Sequence, residues 1–138
     1  KFCHYHDLSF NKYFLIHPRM NDFDFLNLIK QSDIILDSLE WSGGKTSLEA
    51  IALHKPIVTL PGEFMRGRYT YGILKMLKLE ETIASSKREY VEIAIKLATD
   101  NNFKNMVINK IKTNKNTLYN DSKPIKFLEK FFKKEFKI

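Results

Sequence analysis

Apolar residues follow two rhythms along this chain. Three short, near-continuous runs read as β-strands: Tyr13–His17 (YFLIH), Asp33–Asp37 (DIILD) and Pro56–Leu60 (PIVTL). The first ends at Pro18, which stops a central strand, and the third is closed by Pro61-Gly62. DIILD and PIVTL lack apolar–polar alternation, as expected of parallel strands buried on both faces. Elsewhere the apolar positions take helical spacing. They predict a helix over about 22–31, capped by Asn21 or Asp22, with Phe23, Phe25, Leu26, Leu28 and Ile29 as its apolar positions. A second is predicted over Thr46–His54, with Leu48, Ile51 and Ala52 toward the sheet, and a third over Arg68–Lys78, with Ile73, Leu74 and Leu77. Thr82–Ala84 reads as a short strand or edge. Helices follow over Lys87–Thr99, about 103–114, and Pro124–Lys134, where Phe127, Leu128, Phe131 and Phe132 form one apolar side.

Strands alternating with helices at this spacing predict right-handed βαβ units. The expected fold class is α/β, a Rossmann-like parallel sheet with helices on both faces. Ligands of such sheets bind beyond the carboxyl ends of the strands. The loops 18–22, 38–46 and 61–68 are therefore the places to look for chemistry.

Composition narrows the picture. The chain has 138 residues, the size of one domain or of one half of a two-lobed enzyme, and is 43% hydrophobic and 13% aromatic, which excludes global disorder. No apolar run approaches the ~20 residues of a membrane span, and KFCHYHDLSF lacks a signal-peptide pattern. The single Cys3 allows no internal disulfide and fits a reducing, cytoplasmic compartment. The chain opens without a Met just before a strand, which reads as a fragment lacking its N-terminal part. Residues 1–138 are thus expected to form a single lobe of a larger protein.

The net charge of +7 is localised. Residues 1–100 hold 13 Lys/Arg and 13 Asp/Glu, whereas 101–138 hold 10 Lys and 3 Asp/Glu. The segment 101–138 is therefore expected to be a basic helical extension packed on the lobe. A nucleic-acid reader spreads Arg over a folded face with aromatics between, a pattern absent from this Arg-free tail, so no specific nucleic acid is expected. A solvated helix surface and an electrostatic docking site are the two readings of the lysines.

The chemistry concentrates in LDSLEWSGGKTSLEA, residues 36–50. Gly44-Lys45-Thr46 matches the end of an ATPase phosphate loop, but the first glycine of that motif falls on Leu39. A P-loop is therefore excluded. What survives is general: Gly43 and Gly44 permit close backbone approach, and residues 44–46 lie at a helix N-terminus, where free N–H groups favour an anion. Lys45 in the first turn opposes the helix dipole unless a phosphate lies between them. Glu49 follows Lys45 by one turn, where a carboxylate can take two ribose hydroxyls. The competing reading is a helix merely capped by Ser42 or Thr46, with Lys45–Glu49 an exposed pair worth only ~0.3 kcal/mol. Spacing alone does not choose between them.

The longer stretch LDSLEWSGGKTSLEAIALHKPIVTLPGEFMRGRYTYGILKMLKLEETIASSKREYVEIAIKLATD resembles the C-terminal catalytic lobe of the O-linked N-acetylglucosamine transferase/SPINDLY-like family, glycosyltransferase family 41. The likeness rests on the Asp-ended strand, the Ser-Gly-Gly-x-Thr-Ser-x-Glu-Ala turn, Pro-Ile-Val-Thr-Leu-Pro-Gly-Glu, the arginine at the next helix start, and the helical segment Glu89–Ala94. Upstream, HPRMNDFDFLNLIKQSDIILD fits the family's strand–helix–strand segment. The resemblance implies the C-terminal lobe of a GT-B glycosyltransferase that holds a UDP-sugar without a required metal or other cofactor. By position, Gly43, Gly44, Lys45 and Thr46 would meet the diphosphate, Glu49 would hold the ribose, and Met20 with Phe25 would lie near the base. Lys45 and Arg68 are the residues it points to for catalysis. The partners implied are a nucleotide-sugar donor, a protein acceptor, and an N-terminal lobe with helical repeats of the same chain. Many relatives have Thr or His-Thr where this chain has Gly44-Lys45, which keeps an anion site but departs from the pattern.

Other polar residues read more blandly. Arg66 and Arg68 either meet phosphate and the other lobe or form a surface pair at a helix start. Cys3, His4 and His6 have no further Cys/His cluster to complete a metal site. His17 and His54 read as structural, and Trp41 as packing over the turn or lining a sugar pocket.

Overall fold

A computed structural model describes residues 9–119 and 121–136. The elements are α1 (Phe10–Tyr13), α2 (Asp22–Gln31), β1 (Ile35–Leu36), α3 (Lys45–Ala52), β2 (Ile57–Val58), a 3-10 turn (Met65–Gly67), α4 (Tyr69–Met76), α5 (Lys87–Thr99), α6 (Asn101–Tyr119) and α7 (Lys123–Phe136). β1 and β2 pair in parallel, Ile35 opposite Ile57 and Leu36 opposite Val58, with α3 as the crossover. A parallel bridge between Thr59 and Ile83 adds a third step to the ladder. The broad, doubly covered sheet that the alternation predicts is represented among the described residues by this narrow ladder.

Local signals explain two of the helix starts. Asn21 caps α2 by accepting the Asp24 N–H, as its position predicts, and Ser86 caps α5 by accepting the Glu89 N–H. One core then gathers Ile29 of α2, Ala50 and Ile51 of α3, Ile57 and Val58 of β2, Leu74 and Leu77, Leu97 of α5, and Val107 and Ile111 of α6. On α3 the inward residues are Ser47, Ala50 and Ile51. Ala52, expected toward the sheet, is exposed, because the inward stripe runs through Ser47, Ala50 and Ile51 and Ala52 turns ~100° beyond its edge.

Three expectations change. Tyr13–His17 is not a strand among the described residues: Phe10–Tyr13 forms a single helical turn, Phe10 and Phe14 stack at 4.8 Å, and Leu15 and Ile16 stand 80% and 77% exposed. An apolar run becomes a strand only when its backbone finds a partner, and β1 pairs with β2 alone. The helix foreseen over about 103–114 runs from Asn101 to Tyr119, because tertiary bonds secure its far end: Asn114 Nδ2 donates to the Leu77 carbonyl at 2.8 Å, and the Tyr119 hydroxyl donates to the Leu48 carbonyl. Finally, the basic extension behaves as two parts. α6 enters the core, whereas α7 forms with no buried residue at all. No helix of the described residues is long and apolar enough to cross a membrane.

Candidate functional site

β1 runs directly into Asp37, a buried carboxylate at the carboxyl end of the ladder. Its charge is met by three donors. The Gly43 N–H donates to Oδ1 at 2.8 Å, and the hydroxyls of Ser42 and Thr59 both donate to Oδ2 at 2.7 Å. Buried charge is tolerated only when paired or hydrogen-bonded in this way. Ser42 Oγ also accepts the Thr70 N–H at 2.9 Å and lies 2.8 Å from Thr70 Oγ1, which is in turn 2.7 Å from Ser47 Oγ. The Tyr90 hydroxyl, from α5, donates to the Asp37 carbonyl at 2.8 Å. Four elements thus converge on the turn that precedes α3.

That turn is tight on one side and open on the other. A Cβ on Gly43 would lie 2.5 Å from Ser47 Oγ and 2.7 Å from Thr46 Oγ1, so only glycine fits without displacement. A Cβ on Gly44 would meet nothing within 4 Å. Gly44 occupies the cap position of α3 and offers no side-chain acceptor. The first helical bond accepted in this turn is from Leu48 N–H to the Gly44 carbonyl. The amides of Lys45, Thr46 and Ser47 therefore have no protein acceptor among the described residues.

Lys45 stands at this open end, with Nζ 3.1 Å from Asp22 Oδ2 and 3.4 Å from Glu49 Oε1. The hydrogen-bonded Asp22 carboxylate, with Glu49 behind it, raises the lysine above its ordinary pKa. The Asp22 and Glu49 carboxylates offset the unfavourable placement of this cation at a helix N-terminus. The contact also joins the first turn of α2 to the glycine turn, so loops 18–22 and 38–46 share one site. Met20, just before α2, is half-buried, and Phe25 packs against the core cluster.

The loop after β2 braces the turn from the other side. The Ser42 N–H donates to the Arg66 carbonyl at 2.8 Å, and the Gly62 N–H donates to the Gly67 carbonyl at 2.9 Å. A Cβ on Gly67 would lie 3.1 Å from the Glu40 carbonyl oxygen. Arg68 donates from Nη1 to the Gly62 carbonyl at 3.0 Å and stacks over Tyr71 at 4.7 Å; Arg66 stacks over Phe64 at 4.8 Å. Glu40, Gly62, Glu63, Phe64 and Arg66 enclose a cavity of about 220 Å³ between the two loops.

The structure therefore brings Gly43, Gly44, Lys45, Thr46 and Glu49 to one helix end, and uses Arg68 to shape the neighbouring loop. Gly43 differs from the expectation in one respect: its N–H is consumed by Asp37 and is not open to a ligand. Sequence reading missed Asp22 as the partner of Lys45, and it missed the whole network around Asp37. Its only trace was polar residues on apolar faces: Ser47 one turn before Ile51, Thr70 one turn before Leu74, and Thr59 inside PIVTL. Trp41 is 71% exposed beside the turn, and His17 is exposed. His54 has φ of 60° and accepts from Lys115 through Nε2 at 2.8 Å, a structural contact. Cys3, His4 and His6 lie outside the described residues.

Comparisons with known proteins bear on this geometry. The model of glycosyl transferase family 41 matches residues 25–125. A protein of Solanum lycopersicum described as a probable UDP-N-acetylglucosamine--peptide N-acetylglucosaminyltransferase SPINDLY is 34% identical over 77 residues, covering 56% of this chain and 8% of its own. A UDP-N-acetylglucosamine--peptide N-acetylglucosaminyltransferase of Giardia intestinalis is 30% identical over 91 residues, covering 66% of this chain and 6% of its own. A solved mutant O-GlcNAc transferase from Thermobaculum terrenum superposes with a TM-score of 0.71 at 31% identity, over 80% of this chain and 21% of the other. The chain spans less than a tenth of these curated relatives' length.

Proposed function

The chain belongs to glycosyl transferase family 41, and from that premise we propose that it is the nucleotide-sugar-binding lobe of a GT-B glycosyltransferase. In this reading a UDP-linked sugar, N-acetylglucosamine or a close relative, is transferred to protein Ser/Thr hydroxyls. The observation that carries it is the run of amides at Lys45, Thr46 and Ser47, without an acceptor among the described residues and presented beside Lys45 and Glu49. Backbone donors at a helix N-terminus are suited to a diphosphate. Departure of that diphosphate leaves charge on its oxygens, which preorganised donors and a lysine stabilise.

Each residue then has a task. Lys45 exchanges Asp22 for the diphosphate, Gly44 leaves room for close approach, and the Thr46 hydroxyl and amide add donors. Glu49 takes the ribose hydroxyls. Met20 and Phe25 border the base, and exposed Arg68 supplies a second cation at the same end of the ladder. Because amides and lysine meet the diphosphate charge, the reading calls for no metal ion. Acceptor binding and the general base fall in this reading to an N-terminal lobe and helical repeats of a longer cytoplasmic chain.

Titration of UDP, GDP and UDP-N-acetylglucosamine into wild type and Glu49→Ala tests this. Hydrogen bonds to a charged group contribute about 1.5–3 kcal/mol, so the variant should bind UDP at least ~10-fold more weakly. Nucleotide binding that ignores Glu49, or no binding by wild type, would refute the reading. A second reading, an inactive module that docks through the lysine-rich α6 and α7, is favoured by the uncovered apolar side of α7. It predicts salt-sensitive binding to polyanions that is indifferent to Glu49.

A further inference from the structure

The turn before α3 is shaped by a residue that no ligand would touch. We propose that Asp37 is the positioning residue of the nucleotide site: it ties down the Gly43 amide inside the turn, so that the amides of residues 45–47 are left to a ligand. The inference rests on the reading above for the ligand, and on geometry alone for the device.

Asp37 is 7% exposed, and its partners Ser42, Ser47, Thr59 and Thr70 are buried with it. An ionised carboxylate only accepts hydrogen bonds. The single Ser42 proton is therefore committed to Oδ2, and the 2.8 Å contact between Ser42 Oγ and Thr70 Oγ1 must be bridged by the Thr70 proton. Ser47 in turn donates to Thr70 Oγ1 across 2.7 Å. A one-way chain results, from Ser47 through Thr70 and Ser42 to Asp37. It links the first turn of α3 to the start of α4 and the end of β1.

Its effect on the backbone is specific. The Gly43 N–H is held on Oδ1 at 2.8 Å, which anchors the Ser42–Gly43 peptide from inside the turn. With Gly43 anchored and packed against Ser47, the chain turns sharply, and the amides of residues 45–47 emerge without acceptors. Asparagine at 37 keeps the shape but brings an NH2 donor. Wherever that group points, it faces either the Gly43 N–H or the two hydroxyls, and the chain of donors must reverse or break.

The test uses Asp37→Asn, with Val107→Ala in the core of α6 as a control for lost stability. Three quantities are measured: UDP affinity, melting temperature, and the exchange rate of the Gly43 amide without nucleotide. Asp37→Asn should weaken UDP binding ~10-fold or more and accelerate Gly43 exchange at least ~10-fold, at a temperature where both variants are folded. Val107→Ala should lower the melting temperature while leaving UDP affinity within about twofold. Should Asp37→Asn fail to fold, Thr70→Val cuts the same chain without touching the carboxylate, and it should weaken UDP binding by a smaller factor. Equal losses of affinity in Asp37→Asn and Val107→Ala, or unchanged Gly43 exchange, would overturn the proposal. A wild type that binds no nucleotide, with Gly43 exchange still accelerated by Asp37→Asn, refutes the nucleotide reading and keeps Asp37 as organiser of the turn.

Discussion

Around Asp37, polar side chains are buried and each has a partner; along α7 the reverse holds, with Phe127 77%, Phe131 51% and Phe132 46% exposed and nothing buried. Both regions follow clear local rules. The turn has its glycines, and α7 has apolar residues at helical spacing opposite its lysines. What separates them is tertiary partners. The turn draws on the ends of β1 and β2 and on α4 and α5, whereas α7 has formed without a surface to cover. Nor does size of hollow mark the chemistry. The groove along α7, lined by Asp121, Lys123, Pro124, Phe127, Leu128 and Phe131, measures about 610 Å³, against about 220 Å³ for the cavity beside the turn.

The comparison breaks if α7 proves as necessary to the fold as the elements around the turn. Leu74→Ala, in the fully buried face of α4, should cost about 2–5 kcal/mol in chemical denaturation, whereas Phe131→Ala on α7 should change stability by no more than ~0.5 kcal/mol. Comparable losses from both would mean that the apolar side of α7 is covered. The turn itself supplies a sharper pair. Gly43→Ala forces a methyl onto Ser47 and should cost about 1–3 kcal/mol, while Gly44→Ala, with open space around it, should be near neutral in melting experiments. Equal effects at the two positions would contradict the tight-and-open geometry of the turn.

The smallest effect lies away from both regions. Burial, and then the charges of Lys115 and Lys112, hold the His54 pKa below its ordinary value. As pH falls through about 6.5, the unfolded chain takes up this proton before the folded one does. Stability is thus lost from there downward, through the lower folded pKa. His54→Asn, which tolerates the left-handed backbone, should flatten that part of the curve when unfolding is compared at about pH 7.5 and about pH 5.5. An unchanged slope would place the acid sensitivity elsewhere.

Much of this was legible beforehand. Asn21 announced its cap, Lys87–Thr99 was bounded by its periodicity, and the SGGKT turn was recognisable as the start of a helix. YFLIH misled because β-propensity reports a wish for a partner and not its presence. Ala52 misled because the inward stripe of α3 runs through polar Ser47 with Ala50 and Ile51, which an apolar pattern does not pick out. Asp22 beside Lys45 was invisible, since 23 residues separate them and no spacing rule joins the starts of two different helices.

The sequence by itself determined the order of strands and helices from α2 onward, the glycine turn at a helix N-terminus, and the location of all the excess positive charge beyond residue 100. These depend on neighbours within a few positions, where backbone preference and side-chain period act directly. Only the tertiary structure decided that Asp37 takes the Gly43 amide, that Ser47, Thr59 and Thr70 are buried as its network, and that α6 joins the core while α7 does not. Those outcomes depend on which distant groups meet once water is excluded. A buried carboxylate must collect every donor within reach, wherever in the chain those donors originate.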